Sequence, residues 1–304
     1  MYDKQKTIDV LKSLIDEKNL MIDEPMKSHT TFRIGGPADI FVMPSSVDEL
    51  SNVIASLSSM DAPVTVVGNG SNLLVGDHGV RGVVIGIGST LSYIRQDENT
   101  LTVGAGTILG ALSKYAAEHS LTGLEFAVGI PGSVGGAAFM NAGAYDGEMK
   151  NVITRVSSID RSGKIHKYSA DEIGLGYRRS IFQSNGEIIT EVTVELKAGD
   201  ASLIKEKMAE FTKRRTTKQP LEYPSAGSTF KRPKGYFAGT LIDETGLKGL
   251  SVGGAQVSTK HAGFIVNTGG ATTADVLALI EEVKRRVMEK HGVALEPEVR
   301  IIGE

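Results

Sequence analysis

Apolar residues recur at helical spacing in five stretches of the chain. Ile8, Leu11 and Ile15 mark a helix over 7–18, and Val47, Leu50, Val53, Ile54 and Leu57 a second over 47–59. Further helices are expected over 109–119, over 201–215 with Ile204, Met208 and Phe211, and over 273–290 with Val276, Leu279, Ile280, Val283 and Val287. Ser46-Val47-Asp48-Glu49 reads as a capping box, and Asp200 as a cap. Between the helices the period changes. Val64–Val67 is a short strand running into Gly68-Asn69-Gly70-Ser71-Asn72, and Val83-Val84-Ile85 and Leu101-Thr102-Val103 are strands bounded by glycine. After residue 150 the pattern becomes antiparallel. Val152–Ile159 and Ile165–Tyr168 flank an Arg161-Ser162-Gly163 turn, and Ile188, Thr190, Val192, Val194 and Leu196 alternate as a half-buried strand. Glu296-Pro297-Glu298 leads into a closing strand, Val299–Ile302. The fold class is α+β.

Length and composition narrow this picture. At 304 residues the chain suggests about two domains, and 40% hydrophobic with 23% charged residues is ordinary globular composition. Cysteine is absent, which removes disulfides, a thiolate nucleophile, cysteine-based zinc sites and iron–sulfur clusters. A net charge of −3 gives no basic field for nucleic acid. No apolar run approaches the ~18 residues of a membrane span, and the amphipathic N-terminus is not a signal peptide, so a cytoplasmic protein without a membrane partner is expected. Glycine is the excess: residues 68–147 hold 17 of the 36, where even spacing would place about nine or ten. Composition alone leaves open whether these build ligand loops or tight turns.

The motifs separate several chemistries. Gly104-Ala105-Gly106-Thr107-Ile108-Leu109-Gly110 opens a helix after a strand, but its third glycine is one place late and no acidic residue follows in a βαβ unit, which disfavours a Rossmann site. Gly68–Asn72 lacks the Lys-Ser/Thr ending of an ATPase loop, yet successive amides in a glycine turn form an anion nest. The six histidines lack metal-ligand spacing, so no metal is assigned. Lys213-Arg214-Arg215 reads as a solvated helix face unless it lines a cleft. Three stretches stand out: Tyr177-Arg178-Arg179-Ser180, Ser225–Pro233 with Ser228 beside Lys231 and Arg232, and Glu296-Pro297-Glu298-Val299-Arg300. Together they supply a cation, a proton donor and a carboxylic acid.

These stretches carry a resemblance to the UDP-N-acetylenolpyruvoylglucosamine reductases, flavoenzymes of peptidoglycan synthesis. His29-Thr30-Thr31-Phe32-Arg33-Ile34-Gly35-Gly36 resembles the opening of their FAD domain, and Gly68–Leu74 the flavin diphosphate loop. Gly129-Ile130-Pro131-Gly132-Ser133-Val134-Gly135-Gly136, with Asn141-Ala142-Gly143-Ala144-Tyr145, resembles the second flavin loop. The resemblance implies an FAD-binding domain of the vanillyl-alcohol-oxidase/PCMH type in two subdomains split near 90, spanning 29–198. It would follow an N-terminal helical segment (1–28) and precede a substrate-binding α+β lobe (199–304) whose last strand, 298–304, returns toward the active site. It implies Arg178, Ser228 and Glu298 as catalytic, and Arg33, Gly68, Asn69, Gly70, Ser71, Asn72, Gly129, Pro131, Gly132, Ser133, Gly135, Gly136, Asn141 and Gly143 as cofactor-binding. Only Gln183-Ser184-Asn185-Gly186 separates Phe182 from the next strand, which leaves no room for a tyrosine-bearing loop, so the chain is similar to the shorter class of the family.

The implied reaction takes a hydride from NADPH through non-covalent FAD to the enolpyruvyl double bond of UDP-N-acetylglucosamine enolpyruvate. Side chains cannot carry hydride, so a cofactor is required. Arg178 would stabilise the carboxylate as it takes up charge, with a protonated Glu298 donating to the same oxygens, and Ser228 would protonate the α-carbon. Lys218, Lys231 and Arg232 are the cations expected for the substrate diphosphate. No obligate protein partner is evident. Two other readings predict different behaviour: an FAD-dependent alcohol oxidase using oxygen, and a non-catalytic UDP-sugar or flavin-binding module.

Overall fold

Leu50, Val53, Ile54 and Leu57 are all buried on the Val47–Ser59 helix, so the apolar stripe in the sequence is its core face. The structure is a computed structural model and describes residues 2–304. The Ser46 hydroxyl accepts the Glu49 N–H at 3.1 Å, but the Glu49 carboxylate turns to the Ser45 N–H (2.8 Å), so only half of the expected capping box forms. The first helix runs over Lys4–Lys12 rather than 7–18. Asp3 caps it by accepting the Lys6 N–H, and the N–H groups of Leu14 and Ile15 both close onto the Leu11 carbonyl. Ile15 still reaches the core, which is why its spacing mimicked a longer helix. The helices Leu109–Glu118, Ala201–Lys218 and Thr273–His291 lie where their periodicity placed them, the last with a complete Thr272/Asp275 capping box.

A five-stranded antiparallel sheet orders Ile165–Ser169, Ile153–Ile159, Ile188–Glu195, Thr100–Gly104 and Ile94–Asp97. Its hairpin closes with Ile159 opposite Ile165, and the Asp160 carboxylate accepts the N–H groups of Ser162 and Lys164 across the turn. A four-stranded sheet orders Leu20–Pro25, Pro37–Val42, Val80–Gly86 and Val64–Val67, the last two parallel. A second four-stranded sheet orders Ser225–Ser228, Phe264–Asn267, Ala255–Val257 and Ser251–Val252, and Arg300–Ile302 pairs in parallel with Leu73–Val75.

The chain divides into two compact units, each discontinuous in sequence. One comprises Met1–Ile22, Ile40–Asn69 and Gly82–Arg215, and the other Asp23–Asp39, Gly70–Arg81 and Thr216–Glu304. Boundaries at 28/29 and 198/199, expected from sequence, therefore do not coincide with the units. The reason lies in the second core: Phe32, Ile34 and Leu74 bury among Ile242, Ile265, Val276 and Val299. The Ala201–Lys218 helix goes the other way, burying Phe211 in the core of the first unit.

Candidate active site

In the first unit, the strand Val64–Val67 delivers Gly68 against the second glycine loop. A Cβ at Gly68 would lie 2.6 Å from the Ser133 hydroxyl, so a larger residue there would have to displace the Ser133 side chain where the two loops meet. Ser133 is buried, caps the Val134–Met140 helix and accepts the Gly136 N–H at 3.3 Å. The loop is fastened from behind by the Gly104–Leu109 turn: Thr107 and Ala105 accept the N–H groups of Val134 and Gly135, and Leu109 donates to Gly132. The glycine run that imitated a dinucleotide motif is thus a scaffold. A Cβ at Gly106 would sit 1.8 Å from the Gly88 carbonyl oxygen, so part of the glycine excess serves backbone packing and not a ligand. Glu125, before the second loop, is buried; burial would raise its pKa, but hydrogen bonds from Thr122 and the Gly123 N–H outweigh this and hold it below the usual carboxylate range.

Asn141, in the second glycine loop, is held by its own side-chain bonds. It is buried in the left-handed region (φ 44°), its Oδ1 accepts the Lys150 N–H at 2.8 Å, and its Nδ2 donates to Glu148 (2.9 Å) and to the Gly176 carbonyl (3.0 Å). These bonds use both amide hydrogens, so its side chain orders the protein around it. What it orders is the turn bearing Arg178: Gly176 and Arg179 exchange both backbone hydrogen bonds at 3.1 Å, leaving Tyr177 and Arg178 at the tip. Arg178 is held at φ 52°, a left-handed conformation that a long side chain keeps only where its surroundings enforce it. Gln183 does so by donating to the Arg178 and Phe139 carbonyls, and Ser180 donates to Phe139 as well.

In the second unit, Ser228 ends its strand opposite Phe264 and is exposed, whereas Thr229 and Phe230 are buried. The Thr229 N–H donates to Gly263, its hydroxyl accepts the Ile265 N–H, and its carbonyl accepts the Glu298 N–H at 2.8 Å. Phe230 bridges Pro297, and Lys231 donates its N–H to Glu296. Ser228 and Glu298, 70 positions apart in sequence, are therefore held on adjoining backbones. Gly70 in this unit takes φ +61° and accepts the Thr31 N–H, and the Thr31 hydroxyl donates to Ser225. The histidine-to-arginine motif at 29–33 thus supports both segments, while Arg33 itself is exposed at φ 56°.

The three cations expected for a diphosphate have different surroundings. Lys231 pairs with Glu296, and the Arg232 guanidinium lies 4.0 Å from the Phe237 ring centroid. Lys218 is exposed and contributes to lowering the pKa of His261, a shift led by burial of that ring. Sequence reasoning passed over Arg215. It is half-buried, its Cδ would lie 2.6 Å from a Cβ placed at Gly129, and burial pushes its pKa down. The signal available was the cleft reading of the Lys213–Arg215 run. Among the described residues no cluster of three or more carboxylates and histidines could hold a metal ion, and no helix is long and apolar enough to cross a membrane.

The residues around Ser133 fit an FAD diphosphate: in the first unit two loops meet there on glycines, with small or hydroxyl side chains and no carboxylate at Gly68 or Gly136. Gly68→Ala is expected to overpack this contact by about 1–3 kcal/mol. Its FAD affinity, measured by flavin fluorescence titration, should fall roughly tenfold or more.

Comparison with known proteins is consistent with this arrangement. Residues 38–169 match the profile of an FAD binding domain, and residues 219–302 that of the UDP-N-acetylenolpyruvoylglucosamine reductase C-terminal domain. The UDP-N-acetylenolpyruvoylglucosamine reductase of Agathobacter rectalis is 53% identical over 302 residues, covering 95% of this chain and 96% of its own. That of Clostridium perfringens is 50% identical over 294 residues, with 97% and 96% covered. The crystal structure of UDP-N-acetylenolpyruvylglucosamine reductase from Thermus caldophilus is 41% identical, with a TM-score of 0.79 over 93% of this chain and 98% of that one. An alkyldihydroxyacetonephosphate synthase, 16% identical with a TM-score of 0.51 over 65% of this chain and 41% of that one, shares the α+β FAD-binding fold. Identity at this level along nearly the full length of both chains assigns the protein: it belongs to the UDP-N-acetylenolpyruvoylglucosamine reductase family of FAD-dependent oxidoreductases.

Proposed function

We propose that the protein reduces UDP-N-acetylglucosamine enolpyruvate to UDP-N-acetylmuramate for peptidoglycan synthesis, with NADPH as reductant. The observation that supports this reading is the backbone pairing of the two segments: the Glu298 N–H donates to the carbonyl of Thr229, the residue after the exposed Ser228. Bound FAD would supply the hydride chemistry that links NADPH to the enolpyruvyl double bond. The Gly68–Ser133 contact and the Gly129–Gly136 loop would hold its diphosphate. Arg178 grips the substrate carboxylate with its planar fork, so that negative charge building up on those oxygens meets a fixed cation. Glu298 offers its carboxyl to the substrate. Ser228 gives its hydroxyl proton to the α-carbon, whose carbanion character makes it a strong enough base to take one from a serine. Lys218 offers charge to the diphosphate, and Arg232 offers its guanidinium edge. One hydride and one proton are thereby added across the C=C bond, so the product is two mass units heavier than the substrate.

The test is direct. Protein incubated with NADPH and the enolpyruvyl nucleotide should consume one NADPH per substrate and give the product two mass units heavier. NADPH consumption without that mass change, or none at all, would refute the reading.

A further inference from the structure

We propose that Asn72, at the end of the first glycine loop, is a positioning residue for Glu298 and not a cofactor ligand. The inference rests on the role given to Glu298 above and adds the device that holds it. Within the second unit the Asn72 Nδ2 donates to the Glu298 carbonyl at 3.1 Å, and the Asn72 carbonyl accepts the Arg300 N–H at 2.9 Å. The Glu298 N–H is already committed to the Thr229 carbonyl at 2.8 Å. Both backbone polar groups of Glu298 are thus anchored, one to the residue following Ser228 and the other to Asn72. Immediately beyond, Arg300–Ile302 runs in parallel register with Leu73–Val75, with Arg300 opposite Leu73. Asn72 therefore sits where this pairing begins, and its side chain extends the restraint past the end of the ladder to the residue that carries the carboxyl. A reacting group displaced by ~1 Å can lose about 10²-fold in rate, so a bond that fixes the backbone at Glu298 has catalytic leverage without touching substrate.

A polar residue in a flavin-type glycine loop invites assignment to the cofactor, and the two roles predict opposite results. Asn72→Asp keeps the side-chain shape but puts an acceptor against the Glu298 carbonyl. Wild type and variant are loaded with FAD, reduced anaerobically with NADPH, and mixed with the enolpyruvyl nucleotide. The expected result is FAD affinity within about threefold of wild type and reoxidation by substrate slowed roughly tenfold or more. Asn72→His, whose Nδ1–H can donate from the same position, should recover most of that rate. FAD affinity reduced tenfold or more would overturn the proposal in favour of a cofactor contact, and reoxidation within twofold of wild type would overturn it as well. Far-UV circular dichroism checks folding. Should Asn72→Asp not fold, Asn72→Ala removes the donor without adding charge and must give the same split. Wild-type protein that is reduced by NADPH but never reoxidised by the nucleotide would instead defeat the reading of the function. The FAD titration is independent of turnover and still decides whether Asn72 binds cofactor.

Discussion

Ser228→Ala protein is expected to keep its bound flavin, to be bleached by NADPH at close to the wild-type rate, and to be reoxidised by the enolpyruvyl nucleotide about 10³-fold more slowly. The asymmetry follows from where the residue acts. Hydride transfer from NADPH needs no proton from the protein at the substrate carbon, whereas the second half-reaction leaves a carbanion-like α-carbon that must be protonated. General acid catalysis by a positioned side chain contributes typically ~10²–10⁴-fold. Ser228 ends a strand paired with Phe264, and the next residue is locked by three hydrogen bonds, to Gly263, Ile265 and Glu298. Stopped-flow absorbance of each half-reaction checks the prediction. Turnover surviving within a few-fold would remove Ser228 as the proton donor.

Arg178→Gln should show the same division, with reoxidation slowed about 10²–10³-fold, the usual cost of losing a donor aimed at developing negative charge. Arg178→Lys restores the charge but not the two parallel N–H groups, and should recover only part of the loss. The side chain is presented from an unusual backbone, φ 52° at the tip of the Gly176–Arg179 turn, and that conformation is maintained by Gln183 and Asn141 from outside the turn. A strained residue held by its neighbours is pre-set for its ligand. The same stopped-flow experiment checks it, together with a substrate titration: weaker substrate binding should accompany the slower step under the proposed contact of Arg178 with the carboxylate.

How much of this could be read from the chain depends on how local the cause is. The Val47–Ser59 and Thr273–His291 helices, the Asp160 hairpin and the two glycine loops were legible because stripe, cap and turn residues lie within a few positions of one another. The first helix was overextended because Ile15 buries at helical spacing after the helix has ended. The discontinuous units were not legible: nothing near Leu73–Val75 announces a parallel partner at Arg300–Ile302. The same limit explains Asn72 and Asn141. Each is a polar residue in or beside a glycine loop, which by motif alone reads as a ligand contact, yet each donates to a backbone carbonyl far along the chain, at Glu298 and Gly176 respectively. The ion pair of Lys231 with Glu296 was not legible either, because its partner lies in another segment.

The central claim is that reduced flavin in this protein is oxidised by the enolpyruvyl nucleotide. The most direct measurement is a visible spectrum recorded anaerobically on the FAD-loaded protein, after one equivalent of NADPH, and again after one equivalent of UDP-N-acetylglucosamine enolpyruvate. The account predicts an oxidised flavin spectrum, its bleaching by NADPH, and its full return on adding the nucleotide with oxygen excluded. A flavin that stays bleached until air is admitted, or a protein that takes up no FAD, would contradict it.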